Sequence, residues 1–147
     1  MTDRAVSSTL NYVLSLSIAA LLVSGLLVAG SGFVTTQRDV VVREEMSVIG
    51  QQVASNIEQA DRMVEASEGS GVVVQVNQTF PDTVARSQYD VILNGSTDQL
   101  ILRSTNPEQT VRVNVTTTVS LDDSTADGGE ISVRYVKADD ELVIANA

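Results

Sequence analysis

Three N-x-[ST] sequons stand in the chain: Asn77-Gln78-Thr79, Asn94-Gly95-Ser96 and Asn114-Val115-Thr116. The chemistry open to them is attachment of a glycan to the Asn amide, which demands an exposed Asn because a bulky sugar cannot be buried. Asn77 and Asn114 fall on the polar side of alternating segments and Asn94 at a turn, so the sequence places all three outside. The run Asp122 to Glu130 (DDSTADGGE) offers oxygen ligands but lacks the alternate spacing of an EF-hand loop, and reads as a solvated turn. Asp139-Asp140-Glu141 reads the same way. Cys and His are both absent. That removes disulfides, most zinc sites, haem ligation by His, and nucleophile pairs built on His. No catalytic, cofactor-binding or metal residue is assigned, and the chain is read as a non-enzyme.

The element that must position everything else lies upstream. Ala5 to Gln37 holds no charged residue, and its centre reads YVLSLSIAALLVSGLLVAGSGF from Tyr12 to Phe33. About 20 apolar helical residues cross a hydrocarbon core of about 30 Å. A helix can do so because it satisfies its own peptide groups, which lipid cannot. Small residues recur four apart within it, Ala20 with Ser24 and Gly25 with Ala29, a spacing that lets helices approach closely in lipid. Gly30-Ser31-Gly32 suggests a joint or kink where the helix leaves the bilayer. A small-residue site at Val28-Ala29-Gly30 leaves secretory cleavage after Gly30 open, and an uncut signal anchor is a further alternative.

The residues just before this segment, Asp3-Arg4-Ala5-Val6-Ser7-Ser8-Thr9-Leu10, resemble the class III signal peptide of archaeal type IV pilins. Arg4-Ala5-Val6-Ser7 matches the haloarchaeal pattern. Ser8-Thr9-Leu10-Asn11 departs from the Pro-Val-Ile-Gly that commonly follows, and the Glu at mature position five of bacterial major pilins is missing. The resemblance covers roughly the first 35 residues. It implies cutting between Ala5 and Val6 by a prepilin-peptidase-type enzyme, with Arg4 as the preceding charge, and retention of the apolar segment. It also implies assembly with other pilin-like subunits into a filament, or service as a minor or priming subunit, and N-glycosylation of the outer domain.

From Thr35 to about Ser67 the pattern turns amphipathic. Val42, Met46, Ile49, Val53, Ile57, Ala60 and Val64 step by three and four, as one helix face requires. Glu44, Glu45, Gln51, Gln52, Glu58, Asp61 and Arg62 fall largely on the other faces. The stripe has two uses left open: packing on the protein's own sheet, or a seam against neighbouring subunits. Glu68-Gly69-Ser70-Gly71 stops the helix. Then the period changes to two, and six short strands are expected: from Val72, Val84 to Leu93, Gln99 to Arg103, Thr110 to Leu121, Ile131 to Val136, and Leu142 to Ile144. Asn94-Gly95 marks a hairpin tip. The Arg residues of the strands, Arg86, Arg103, Arg112 and Arg134, are expected to pair with carboxylates on the wet face.

The fold class is therefore α+β: a long N-terminal helix followed by a small antiparallel sheet packed on its distal half. The divisions are 1–5 (leader head), 6–34 (transmembrane helix), 35–67 (amphipathic continuation) and 71–147 (extracytoplasmic β-rich domain). A formal charge of -10 makes nucleic acid a poor partner, since an acidic surface repels phosphates. Eight of nine basic residues are Arg, and the acidic surplus with few aromatics resembles proteins of salt-loving archaea. The expected setting is a single-pass protein of the cell membrane, N-terminus inside and β-rich domain outside. The alternative function is a non-polymerising, membrane-anchored binding domain.

Overall fold

The computed structural model describes residues 2–67 and 73–147, with side chains from Ser7 onward. The processing residues Arg4, Ala5 and Val6 have their side chains outside the described residues, as does the expected helix stop Glu68 to Gly71. One helix, α1, runs Thr2–Ala66. The chain divides into two units, Met1–Gln37 and Arg38–Ala147.

In the first unit, helical hydrogen bonding continues unbroken through Gly30-Ser31-Gly32, where the sequence suggests a joint. The hydroxyls in this stretch bond back onto the helix. Ser17 donates to the Val13 carbonyl at 2.8 Å, Ser31 to Val28 at 2.9 Å, Thr35 to Ser31 at 3.2 Å and Thr36 to Gly32 at 3.1 Å. Polar side chains bonded in this way present little that an apolar medium would have to desolvate.

In the second unit the helix supplies one wall of the core. Val42, Met46, Val53, Ile57 and Ala60 are fully buried, with Ile49 nearly so and Val64 half-buried against the same cluster. Their partners are strand residues, among them Val91, Leu100, Leu102, Ile131, Val133, Leu142 and Ile144. Of the two uses left open for the stripe, the structure shows packing on the protein's own sheet. Gly50 sits on this face because the sheet comes close: a Cβ there would meet Leu102 Cδ1 at 2.8 Å and Val113 Cγ2 at 3.0 Å.

The described residues form nine strands rather than six: β1 (Gln75–Thr79), β2 (Thr83–Val84), β3 (Ser87–Asn94), β4 (Gln99–Thr105), β5 (Glu108–Asn114), β6 (Ser120–Leu121), β7 (Ser124–Asp127), β8 (Glu130–Val136) and β9 (Glu141–Asn146). One sheet has the order β1-β8-β9-β6. The other has β2-β3-β4-β5, with β7 also on β3. Every pairing is antiparallel except β6 with β9, which is parallel. Side chains join the sheets where β7 runs beside β9. The Ile144 N–H donates to Ser124 Oγ at 3.0 Å, and the Asp127 N–H to Asn146 Oδ1 at 3.0 Å. The result is a curled layer with the helix against its apolar face.

The structure departs from three further expectations. Asp122 to Gly129 is not merely a polar loop, because Ala126 is buried and β7 pairs in register with Asp90 to Leu93 of β3. One inward methyl on a polar four-residue strand is too weak a periodic signal to separate from a turn. The expected strand Thr110 to Leu121 ends as β5 at Asn114, although its alternation of covered and exposed residues continues to Leu121. The ladder stops at Asn114 because its partner there, Gln99, is the first residue of β4, and the segment beyond is held by Asp61 instead. The sequence puts Asp61 on a wet face, but it is only 5% exposed. Its Oδ1 accepts from the N–H groups of Thr118 at 3.0 Å and Val119 at 2.8 Å, and its Oδ2 from Thr118 at 3.1 Å. Backbone donors that would otherwise seek a neighbouring strand are taken by a helix carboxylate.

Candidate functional site

The apolar helix is the most distinctive surface of the molecule. An 18-residue window within Ser7–Ala66 reaches a mean hydropathy of 2.3 with none of it buried. Leu21, Leu26 and Val28 are 73–74% exposed. By length and composition this helix can cross a membrane, and it is compatible with a single-pass anchor. Ala20, Ser24, Gly25 and Ala29 all lie on it and are exposed. A Cβ built on Gly25 meets nothing within 4 Å, so the notch it makes is open to another helix or to lipid.

The sequons separate once their surroundings are seen. Asn77 on β1 and Asn114 at the end of β5 are exposed, and each Oδ1 accepts from a neighbouring Gln amide, Gln75 at 2.9 Å and Gln99 at 3.2 Å. Asn94 is half-buried, which corrects its placement in the open. Its Oδ1 holds the following loop by accepting from the Thr97 N–H and Oγ1, both at 3.0 Å. It opens the hairpin that the sequence places here, from β3 to β4, but Asn-Gly is not its tip. The loop has four residues, and its positive φ belongs to Asp98 at 51°. Gly95 is needed there for a close approach: a Cβ on it would overlap the Leu121 carbonyl of β6.

Hollows among the described residues mark the distal unit. A groove of about 620 Å³ lies between the helix residues Glu44, Val48 and Gln52 and the segment Phe80-Pro81 with Val84. Smaller acidic hollows gather Asp82, Asp90 and Asp127 in one place and Asp98, Asp122, Asp123 and Glu141 in another. Among the described residues no group of three or more carboxylates is arranged to hold a metal ion. Nor do Arg86, Arg103, Arg112 and Arg134 pair with carboxylates. All four are exposed and, among the described residues, free of ion pairs. The charges are spread over a wet surface, where a pair would contribute little.

Tyr89 is the one buried phenol. It is 2% exposed and donates to the Pro81 carbonyl at 2.8 Å. Burial pushes its pKa up and the Asp82 charge adds to this, while a hydrogen bond with the Gly129 backbone opposes them. A folded value above the ordinary 10.0 means that the neutral phenol's contribution is complete below that pH. It is lost as pH rises through the folded value. The urea midpoint of the full-length protein in detergent should therefore hold level up to that pH and fall beyond it. Tyr89→Phe should flatten the fall. A variant as alkali-sensitive as the parent would assign the loss to other groups, such as Tyr135. The pKa of Tyr135 is also raised, first by its hydrogen bond to Asp140 at 2.6 Å.

Residues 1–146 match the profile of a family of unknown function, DUF7266. No curated protein and no solved structure matches the chain.

Proposed function

We propose that this chain, which belongs to the family of unknown function DUF7266, is a pilin-like structural subunit. It is held in the membrane by its N-terminal helix and is assembled into, or primes, a type IV pilus-like surface filament. One observation carries the reading: the apolar face of residues 7–37 is wholly uncovered, while the stripe from Val42 to Val64 is used up inside the distal unit. Association through the helix is thereby confined to its first half. Once such a surface leaves lipid, only the apolar surfaces of neighbours can cover it. The likeness of Arg4-Ala5-Val6-Ser7 to a class III cleavage site supports the same reading, as does the small-residue spacing of Ala20, Ser24, Gly25 and Ala29. In this arrangement the short N-terminus is cytoplasmic and the acidic β-rich unit extracytoplasmic. Asn77 and Asn114, which are exposed, are better glycan acceptors there than Asn94, which is half-buried.

The alternative is an anchored domain that does not polymerise and that binds a partner. The groove beside Val48, which is 55% exposed, is the observation in its favour.

The test is the N-terminal residue and intact mass of the protein taken from native membranes. Processing as a pilin gives a chain beginning at Val6, and excess mass on peptides carrying Asn77 or Asn114 would report glycans. A chain beginning at Met1 or Thr2 would remove the pilin mechanism and leave the anchored domain. A start near Ser31 would mean secretion without an anchor.

A further inference from the structure

The longest open sheet edge among the described residues is β5. It pairs with β4 along Glu108 to Asn114, and no hydrogen bond reaches it from any other element. The other end of the curled layer, β1, is shorter and carries a side-chain tie to the helix, Asn56 Nδ2 to Gln78 Oε1 at 2.6 Å. Folded proteins blunt such edges with Lys, Pro or a bulge. The stretch from Gln109 to Asn114 has no Lys and no Pro, and its register with β4 runs without a bulge.

The phase of the ladder shows which backbone groups are free. The Val115 N–H donates to the Asp98 carbonyl at 2.9 Å, extending the β4–β5 register by one hydrogen-bonded pair. Such pairs alternate in antiparallel ladders, so Val113, Val111 and Gln109 bond to β4. The N–H and C=O groups of Glu108, Thr110 and Arg112 therefore point away from the sheet. The side chains of those three residues share one face, and Glu108 and Arg112 are exposed. Among the described residues neither of them has an ion-pair partner.

We propose that β5 is a homotypic docking edge: two copies of the chain join β5 to β5 antiparallel about a two-fold axis at Thr110, continuing one sheet through both molecules. In that register Thr110 faces Thr110, and Glu108 of each copy faces Arg112 of the other. The outward groups supply about six backbone hydrogen bonds. The charges make the strand complementary to itself in this register: Glu108 and Arg112 are equidistant from Thr110 and opposite in sign. Opposite charges directly across a ladder favour pairing, and like charges oppose it. The interface is isologous and closes as a dimer, so it is separate from any polymerising contact of the helix. The proposal needs only the second unit and stands whichever residue begins the mature chain.

The absence of Cys makes the test direct. Thr110→Cys puts one thiol on the two-fold axis. Facing residues of a hydrogen-bonded antiparallel pair lie about 5.5 Å apart at Cα, within disulfide reach. Full-length protein in its membranes, oxidised and run on a gel without reductant, should give a dimer band well above that of Lys137→Cys, an exposed turn position. In the Thr110→Cys background, Glu108→Arg or Arg112→Glu alone should reduce the band about tenfold by setting like charges opposite each other. Both changes together should restore it. A Thr110→Cys band no stronger than the turn control would overturn the proposal. So would a band indifferent to the single reversals, or one that the double reversal fails to restore.

Discussion

Asp61→Ala should lower the stability of the distal unit by about 2–4 kcal/mol, because hydrogen bonds to charged groups are worth more than neutral ones and this carboxylate, nearly buried, accepts from two backbone donors. The carboxylate takes two backbone N–H groups from the segment that follows β5. Its removal leaves those of Thr118 and Val119 without a partner beside a small void. Asp61→Asn keeps one acceptor oxygen and should lose about half as much. The measurement is a urea titration of the full-length protein in detergent, followed by tyrosine fluorescence. An unchanged slope with a shifted midpoint would show that only stability changed. An Ala variant whose midpoint stays at the parent's would mean that water can replace the carboxylate, and that the clamp is incidental to the fold.

Gly95→Ala should cost at least about 3 kcal/mol, at the upper end for overpacking, because the obstacle is backbone rather than a flexible side-chain tip. A methyl at this position would overlap the Leu121 carbonyl and approach the Asp122 Cα at 3.3 Å. Relief requires moving β6, and with it the short parallel pairing of Ser120 and Leu121 with Glu141 and Leu142. It would also strain the bond from the Gly95 N–H to Asp123 Oδ1, now 2.8 Å. Thermal unfolding by circular dichroism should show a fall of about 10 °C or more, against almost none for Ser96→Ala at the exposed next position. A fall of only a degree or two would mean that the loop yields freely.

The parts of this structure legible in the sequence are those where one simple period dominates. A charge-free run of that length has few fates, and the step of three and four from Val42 to Val64 marks a face that must be buried. The same pattern says nothing about what buries it, so in the sequence packing on the protein's own sheet is only one of two choices. The strands with large residues on the inner face, such as β3, β4 and β8, stood out by alternation. β7 did not, since its inward residue is Ala126 and its strength lies in pairing with β3 and in side-chain bonds to β9. Asp61 was unreadable for a different reason. A helix carboxylate next to Arg62 looks solvated, and only the return of a segment more than 50 positions downstream gives it partners. For Gly95 the sequence points to turn geometry, whereas its place is set by steric contact with a strand it does not pair with. The candidate glycan sites divide along the same line: exposure of Asn77 and Asn114 follows from alternation, and the engagement of Asn94 is set by its own loop.

The burial of the helix stripe by strands on both sheets also sets a timetable for synthesis. Val42 leaves the ribosome about 100 residues before Ile144, an interval of roughly 5–20 s at ordinary elongation rates. Throughout it the apolar stripe has no sheet to cover it, and the core cannot close until β8 and β9 arrive. A nascent chain in that interval exposes two greasy surfaces in succession, one with the length and composition of a membrane span and one destined for its own head. The second of these stays uncovered until the sheet that buries it has been made.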